Sequence, residues 1–414
     1  MSSESVEEFR ARARDWIRAT LGPASGYAAA GLNHRPEEEE LAAVAHDRVL
    51  QRRFFDAGLA GVVVPPEYGG LGLTPAHQRA LNEELGGYEW PSRFTVPTMS
   101  PCGAVLLEHA PEELKREHLP AILRGEEIWM QFLSEPSGGS DMAGALTTAV
   151  ADGDDWVLNG SKIWTTGAWW ADWALCLART DWDAPKHAGL TMFALPIRQR
   201  GIEVRQIEML NGARDFCQEY LTDVRVPDTH RVGEVGQGWT VATRLLFHER
   251  MQHNSPYVTS PADARQGTAE ASPAAIARDA GRLADPLARD LVGQARTLDL
   301  AGAALQRRVA AGIRSGQLPD TASAVARLFF TLAQVRASEI KFELAGGAGV
   351  AWDETDGAAA GVGDSFLIRQ AGAIGGGTSE MARNVIAERV LGLPRETARD
   401  RGIPFRDVPR GAAR

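Results

Sequence analysis

Residues 156–178 read WVLNGSKIWTTGAWWADWALCLA, and the period of their apolar side chains decides the architecture. Trp156–Leu158, Lys162–Thr166 and Trp173–Ala178 alternate every second residue, as half-buried strands do. Asn159-Gly160 between the first two predicts a type I′ hairpin turn. The same period continues outward in Leu190–Leu195 and Ile202–Ile207. On the N-terminal side Glu38–Ala57 and Pro75–Tyr88 have the three-to-four-residue spacing of helices, with the glycine-rich Glu67–Leu73 between them. Beyond Gly236 helical spacing returns and lasts to Leu391, broken by the Ser/Pro/Ala-rich stretch Ser255–Ala274. The order helical, β, helical divides the chain into a helical domain 1–125, a β domain 126–233, a helical domain 234–394 and a surface tail 395–414 rich in Pro and Arg.

Composition narrows the function classes. The 414 residues carry 44 Lys+Arg against 54 Asp+Glu, a net charge of −10, with 44% hydrophobic residues. A disordered, collagen-like or disulfide-stapled chain is excluded, and a large soluble enzyme is the natural reading. The negative balance, without a concentrated basic patch, argues against nucleic acid or an anionic bilayer as partner. MSSESVEEFR has acids where a secretory leader needs cations, and no apolar run reaches the roughly 18–20 residues of a membrane span, so a cytoplasmic location is expected. Cys102, Cys176 and Cys217 are too few and too scattered for a disulfide framework or a thiolate metal site, and read as buried free thiols.

Several familiar chemistries fall away. His248-Glu249 opens like HExxH, but position 252 is Gln and His253 lies off the required face, so no metal is expected. GxGxxG, GxxxxGK[ST] and GxSxG are all missing. Other residues keep two readings. Trp164 and Thr166, two apart on a strand, point to one face, where an indole and a hydroxyl suit a flat aromatic ligand or merely an ordinary sheet core. Ser134 and Ser140 bracket a glycine turn, which is either a ligand cradle or a plain surface turn. Gly346-Gly347 and Gly375–Thr378 sit at helix ends, free to meet an anion or simply to cap. Glu249 shares a helical face with Trp239, Ala242, Leu245 and Leu246, where a carboxylate is costly unless it is used or paired with an Arg of a neighbouring helix.

Four segments together resemble the acyl-CoA dehydrogenase family, in its order and spacing. They are WMQFLSEPSGGSD (129–141), KIWTTGAWWADW (162–173), DVRVP (223–227) with GQGW (236–239), and GGGTSEMARNVIAERVLGLPRE (375–396). The resemblance covers nearly the whole chain. It implies an α+β multidomain fold: an N-terminal helical domain, a middle β-barrel-like domain and a C-terminal four-helix bundle, with FAD between the last two. It also implies cofactor contacts from Gln131, Leu133, Ser134, Ser140, Trp164, Thr166, Glu343, Gly346, Gly347, Thr378 and Glu380. Ser140, Leu246, Arg250, Gly376 and Gly377 would meet the substrate.

Many relatives place their catalytic Glu immediately before the Gly-Thr pair, where this chain has Gly376. A second group, acting on branched or long acyl chains, places it on the first helix of the C-terminal domain before an Arg, which Glu249-Arg250 matches. The reaction so implied is removal of the α-proton of an acyl-CoA thioester by Glu249 as hydride leaves the β carbon for the flavin, giving a trans-2-enoyl-CoA. A bulky, branched or steroid side-chain acyl group, and an electron-transfer flavoprotein as acceptor, go with that placement. Glu380 is a further acid, of the kind that complements a helix dipole. Two departures stand out: Glu343 replaces a common Gln, and no Arg-x-x-Phe-Gly segment occurs in Ser255–Ala274. The latter fits a mixed assembly in which a non-identical partner completes the site, although a homodimer or homotetramer is also compatible. Competing readings are a flavin-dependent oxygenase or oxidase on the same scaffold, a silent subunit of a heteromer, and a DNA-associated flavoprotein, the last opposed by the acidic charge.

Overall fold

The computed structural model describes residues 4–24, 36–251, 255–261, 271–351, 359, 361–398 and 400–409. The chain forms two compact units, Met1–Glu208 with Arg214–Thr268 and Arg399–Arg414, and Met209–Ala213 with Ala269–Ala398.

The first unit begins with helices α1 (Val6–Thr20), α2 (Glu37–Asp56), α3 (Pro75–Glu84), α4 (Ala104–His109) and α5 (Glu112–Leu123). Ser5 and Glu8 close a capping box at the start of α1. The helix then buries Phe9, Ala13 and Ile17 against Leu50, Phe54, Leu81 and Leu85. Pro75 opens α3, which stops at Glu84. The predicted extension to Tyr88 fails because Gly87 takes a left-handed conformation, φ +82°, which ends a helix.

Eight strands follow: β1 (Trp129–Phe132), β2 (Thr148–Asp152), β3 (Asp155–Thr166), β4 (Trp173–Arg179), β5 (Leu190–Pro196), β6 (Ile202–Gln206), β7 (Phe216–Pro227) and β8 (Arg231–Val232). They form one mixed sheet ordered β6-β7-β3-β2-β4-β5-β8, with β1 parallel to β4. The expected hairpin at Asn159-Gly160 is corrected. Trp156–Leu158 and Lys162–Thr166 are one continuous strand, paired along its length with β7, and Asn159-Gly160 lies at a register shift within it. The turn instead joins β2 to β3 through Gly153, φ +67°. Gly160 is required there by space, since a Cβ would fall 2.5 Å from Thr147 Oγ1. The Asn159 amide donates to the Asp223 carboxylate and its carbonyl oxygen accepts from the Asp223 N–H, which seals the irregularity.

Helix α6 (Gly238–Met251) buries Val241, Ala242 and Leu245 in the core that also contains Leu175, Leu177, Leu190 and Met192 of β4 and β5. The tail runs over the surface and is anchored by Phe405, which is buried and stacks on the Arg179 guanidinium. Lys186 joins Asp400 to Asp141, at 2.7 Å from each. All three thiols are buried and free.

The second unit contains α7 (Pro273–Asp279), α8 (Pro286–Arg314), α9 (Ser323–Ala345), α10 (Gly347–Val350), α11 (Val362–Ile368) and α12 (Ser379–Val385). Helix α9 packs against α7, α8, α11 and α12. Ile276, Ala288, Ala295, Ile340, Leu344 and Val362 form its core. Among the described residues no helix is long and apolar enough to cross a membrane. Gln252, His253 and residues 262–270 of the stretch Ser255–Ala274 lie outside the described residues.

Candidate active site

Helix α6 carries Glu249 on the face of Trp239, Ala242, Leu245 and Leu246, all of which join or pack against the main core of the first unit. The carboxylate is half-buried, and its partner is an amide: Gln131 of β1 donates through Nε2 to Glu249 Oε2 at 3.0 Å. Oε1 of Glu249 has no protein hydrogen bond, and no cation pairs with the carboxylate, among the described residues. Two nitrogen-bearing side chains of the same helix are engaged elsewhere: Arg244 and His248 of α6 both contact Glu108 of α4, at 2.6 and 2.9 Å. Arg244, then His248, keeps Glu108 below the ordinary carboxylate range. Ser100 Oγ fixes the α6 backbone by donating to the His248 carbonyl. Beneath lies Cys102, whose thiol is pushed up by burial and then by the Glu249 charge. A carboxylate held at one oxygen by a neutral donor, with the other oxygen unbonded, is arranged to accept a proton.

β1 leads into the loop of Leu133, Ser134 and Ser140. Leu133 is buried, and Ser134 anchors the loop by accepting from Ile163 N–H at 3.0 Å. The Glu135–Gly138 turn is closed by paired backbone bonds and leaves Ser140 exposed. Below it Lys162 and Glu135 form a buried pair at 2.8 Å. Burial pushes Glu135 up, but Lys162 and the Thr147 and Leu146 amides outweigh it and leave the carboxyl below its ordinary range. Neither member was singled out in the sequence, although both lie inside the quoted segments.

The strand that carries Trp164 and Thr166 is not the regular one expected, although Trp164 still packs on Phe216, the residue paired with Thr166. Trp164 is the extra residue of a bulge, with φ +69°, between the paired Ile163 and Thr165. A bulge resets the period of two, so spacing across it does not assign faces. The consequence is an indole 54% exposed, edge-on to Phe216, beside a half-buried Thr166. Gln131 adds a buried Oε1 without a hydrogen-bond partner. An exposed indole and an orphaned buried acceptor fit a flat heteroaromatic ring with a polar edge.

In the second unit Gly346 ends α9 and Gly347 opens α10. Glu343 is ion-paired with Arg336 at 3.2 Å on its own helix, so its extra charge is neutralised locally. Gly376 and Gly377 both have positive φ, at 67° and 102°, and the turn is held by Arg327, which donates to the carbonyls of Gly375 and Gly377. Thr378 caps α12 by accepting from Met381 N–H. Glu380 is exposed in the first turn, 3.5 Å from Arg383, and its own amide and the Thr378 hydroxyl keep its carboxyl low. Leu246 packs on the core edge and Arg250 is exposed, in the first unit.

Family models agree with this architecture along the chain. Residues 3–126 match the acyl-CoA dehydrogenase N-terminal domain, 131–225 the middle domain and 236–391 the C-terminal domain. Acyl-CoA dehydrogenase IpdE1 of Mycolicibacterium smegmatis is 33% identical over 410 residues, covering 94% of this chain and 98% of its own. Among solved structures, the Tcur3481-Tcur3483 steroid ACAD superposes with a TM-score of 0.73 at 27% identity, covering 94% of this chain and 98% of that one. The ChsE4-ChsE5 complex from Mycobacterium tuberculosis gives 0.68 at 27% identity, with the same coverage. With three domain models matched in order and a full-length relative at this identity, the chain belongs to the acyl-CoA dehydrogenase family, flavoproteins that oxidise acyl-CoA thioesters.

Proposed function

We propose that the chain catalyses FAD-dependent α,β-dehydrogenation of an acyl-CoA thioester with a bulky, branched or steroid side-chain acyl group, giving the trans-2-enoyl-CoA. The observation that carries this reading is the Glu249–Gln131 contact: a carboxylate on an apolar helix face, held by an amide and free of any cation among the described residues. Glu249 takes the α-proton through Oε1, while Gln131 fixes Oε2 and keeps the group from swinging toward solvent. Leu245, Leu246 and Trp239 line its face and limit the access of water to it. A bound flavin would supply the acceptor for the hydride released from the β carbon. Gln131, Leu133, Ser134, Ser140, Trp164 and Thr166 are assigned to hold it, with Ser140, Leu246 and Arg250 toward the thioester and acyl chain. In the second unit Glu343, Gly346, Gly347, Thr378 and Glu380 are assigned to cofactor contacts, and Gly376 and Gly377 to the substrate.

The steroid assignment draws on the relatives' names, one a steroid ACAD and another a two-component complex. Gly376, in the position of many relatives' Glu, favours the same subgroup and a heteromeric assembly with acyl-CoA as substrate and an electron-transfer flavoprotein as acceptor. The test is anaerobic bleaching of the flavin by straight, branched and steroid acyl-CoAs. Glu249→Gln is expected to retain flavin and slow its reduction by ~10²–10⁴, the scale of general-base loss. Near-normal reduction removes Glu249 from the reaction.

A further inference from the structure

Behind Gln131 the sheet interior holds two carboxyl groups and one cation. Glu219 of β7 is fully buried, directly opposite Lys162 of β3 in the register. Lys162 is nevertheless spent on other acceptors: the Leu177 carbonyl at 2.6 Å, Glu135 at 2.8 Å and the Leu133 carbonyl at 3.3 Å. An ammonium has three protons, and all three are used. Glu219 is left with one protein partner, the Thr165 hydroxyl at 3.1 Å on Oε2, and its Oε1 is buried with none. The other groups around it offer no counter-charge. Cys217 on its own strand and Cys176 on β4 are thiols held protonated, both pushed up to about 12 mainly by burial. β6 presents Val204 opposite Glu219, with Glu203 and Arg205 paired to each other at the surface.

Thr165 Oγ1 lies within reach of two oxygens, Glu219 Oε2 and the Gln131 carbonyl at 3.5 Å. A hydroxyl has a single proton. If Glu219 were ionised, that proton would go to its carboxylate and the carbonyl would lose it. If Glu219 is the neutral acid, its O–H donates to Thr165, whose own proton is then available to Gln131. Both contacts, at 3.1 and 3.5 Å, carry a proton only in the second arrangement. We infer that Glu219 is a positioning residue in its uncharged form, acting through the Thr165 hydroxyl on the backbone of Gln131 and so on the amide that Gln131 presents to Glu249. The consequence for the reaction rests on the proposed role of Glu249; the protonation and the hydrogen-bond relay do not. Burial pushes the Glu219 carboxyl up to about 8, in keeping with an acid that is neutral at physiological pH.

The experiment pairs infrared spectroscopy with kinetics. Wild type minus Glu219→Gln at neutral pH, without substrate, is expected to show the carbonyl stretch of one protonated carboxylic acid, converting to carboxylate as pH rises through about 8. A carboxylate signal at neutral pH overturns the inference whether or not the chain oxidises any acyl-CoA. In flavin reduction, wild type is expected to slow on the alkaline side, and Glu219→Gln, whose amide donates to Thr165 at every pH, to lose that alkaline fall. Thr165→Val should lower the rate about tenfold without changing substrate KM, and Thr165→Ser should restore it. An alkaline limb unchanged in Glu219→Gln, or a Thr165→Val effect on stability alone, overturns the relay. Absence of flavin reduction by every acyl-CoA refutes the proposed reaction instead and leaves the infrared result to decide Glu219.

Discussion

Replacing Lys162 by Met tests how the loop of Ser134 and Ser140 is held. The Lys162 and Glu135 side chains are 0% and 5% exposed. At their 2.8 Å separation and an effective dielectric of about 20, the attraction is roughly 6 kcal/mol, of which desolvation of the two ions takes several. Removing the cation keeps the desolvation of Glu135 and deletes the attraction, and it also strips the Leu133 and Leu177 carbonyls of a donor. The expected loss is about 3–5 kcal/mol, a large part of the stability of an ordinary domain. Glu135→Gln alone leaves Lys162 its two carbonyls and should cost less. The double variant leaves neither charge unpaired, so its cost should fall below the sum of the single costs by at least about 1 kcal/mol. Denaturation followed by tryptophan fluorescence reports mainly on the relevant unit, which holds 10 of the 11 Trp. A Lys162→Met loss under about 1 kcal/mol, or strictly additive single costs, would refute the reasoning.

Three further outcomes follow from the same geometry. Gln131→Leu removes the donor to Glu249 and should slow reduction of the flavin-loaded fraction about ten- to a hundredfold, read by stopped-flow absorbance at saturating flavin; an unchanged rate denies Gln131 any part in holding the base. Glu219 binds its proton more tightly folded than unfolded, so its contribution to stability is complete below the ordinary carboxylate range and is lost as pH rises through about 8; Glu219→Gln should flatten that decline, by at most about 1.4 kcal/mol per pH unit, in denaturation midpoints measured from pH 5 to 9. Phe405→Ala vacates the stack on Arg179 and should free the tail at a cost of up to about 3–5 kcal/mol, seen as proteolytic cleavage near Asp400 that wild type resists.

The order of elements was legible from where the apolar segments change character, and β4 and β5 lie where the runs 173–178 and 190–195 place them, although both are buried along nearly their whole length and not on alternate residues. Short-range turn signals misled where long-range pairing outweighed them. Asn159-Gly160 has the composition of a hairpin, yet β7 is long enough to pair on both sides of it, so the dipeptide becomes an irregularity in one strand. The same strand hides the bulge at Trp164, since one unpaired residue leaves no mark in composition and only the partner strand reveals it.

Glu249 was legible for a different reason. A helix has a fixed rotation per residue, so a carboxylate on an apolar face shows in one dimension, and the structure supplies the amide partner that no spacing rule could name. Glu219 carried the same kind of signal: Cys217, Glu219 and Leu221 alternate inward along β7, which marks an acid on a buried face. Its meaning depends on how many cations reach that interior, and this is set by Lys162 on β3 turning to Glu135 and two carbonyls contributed by other segments. One ammonium among two carboxyls leaves one of them to stay protonated, and the carboxyl nearer the main-chain amides keeps the charge. The proton therefore falls to Glu219, on the side of the sheet that leads through Thr165 to Gln131.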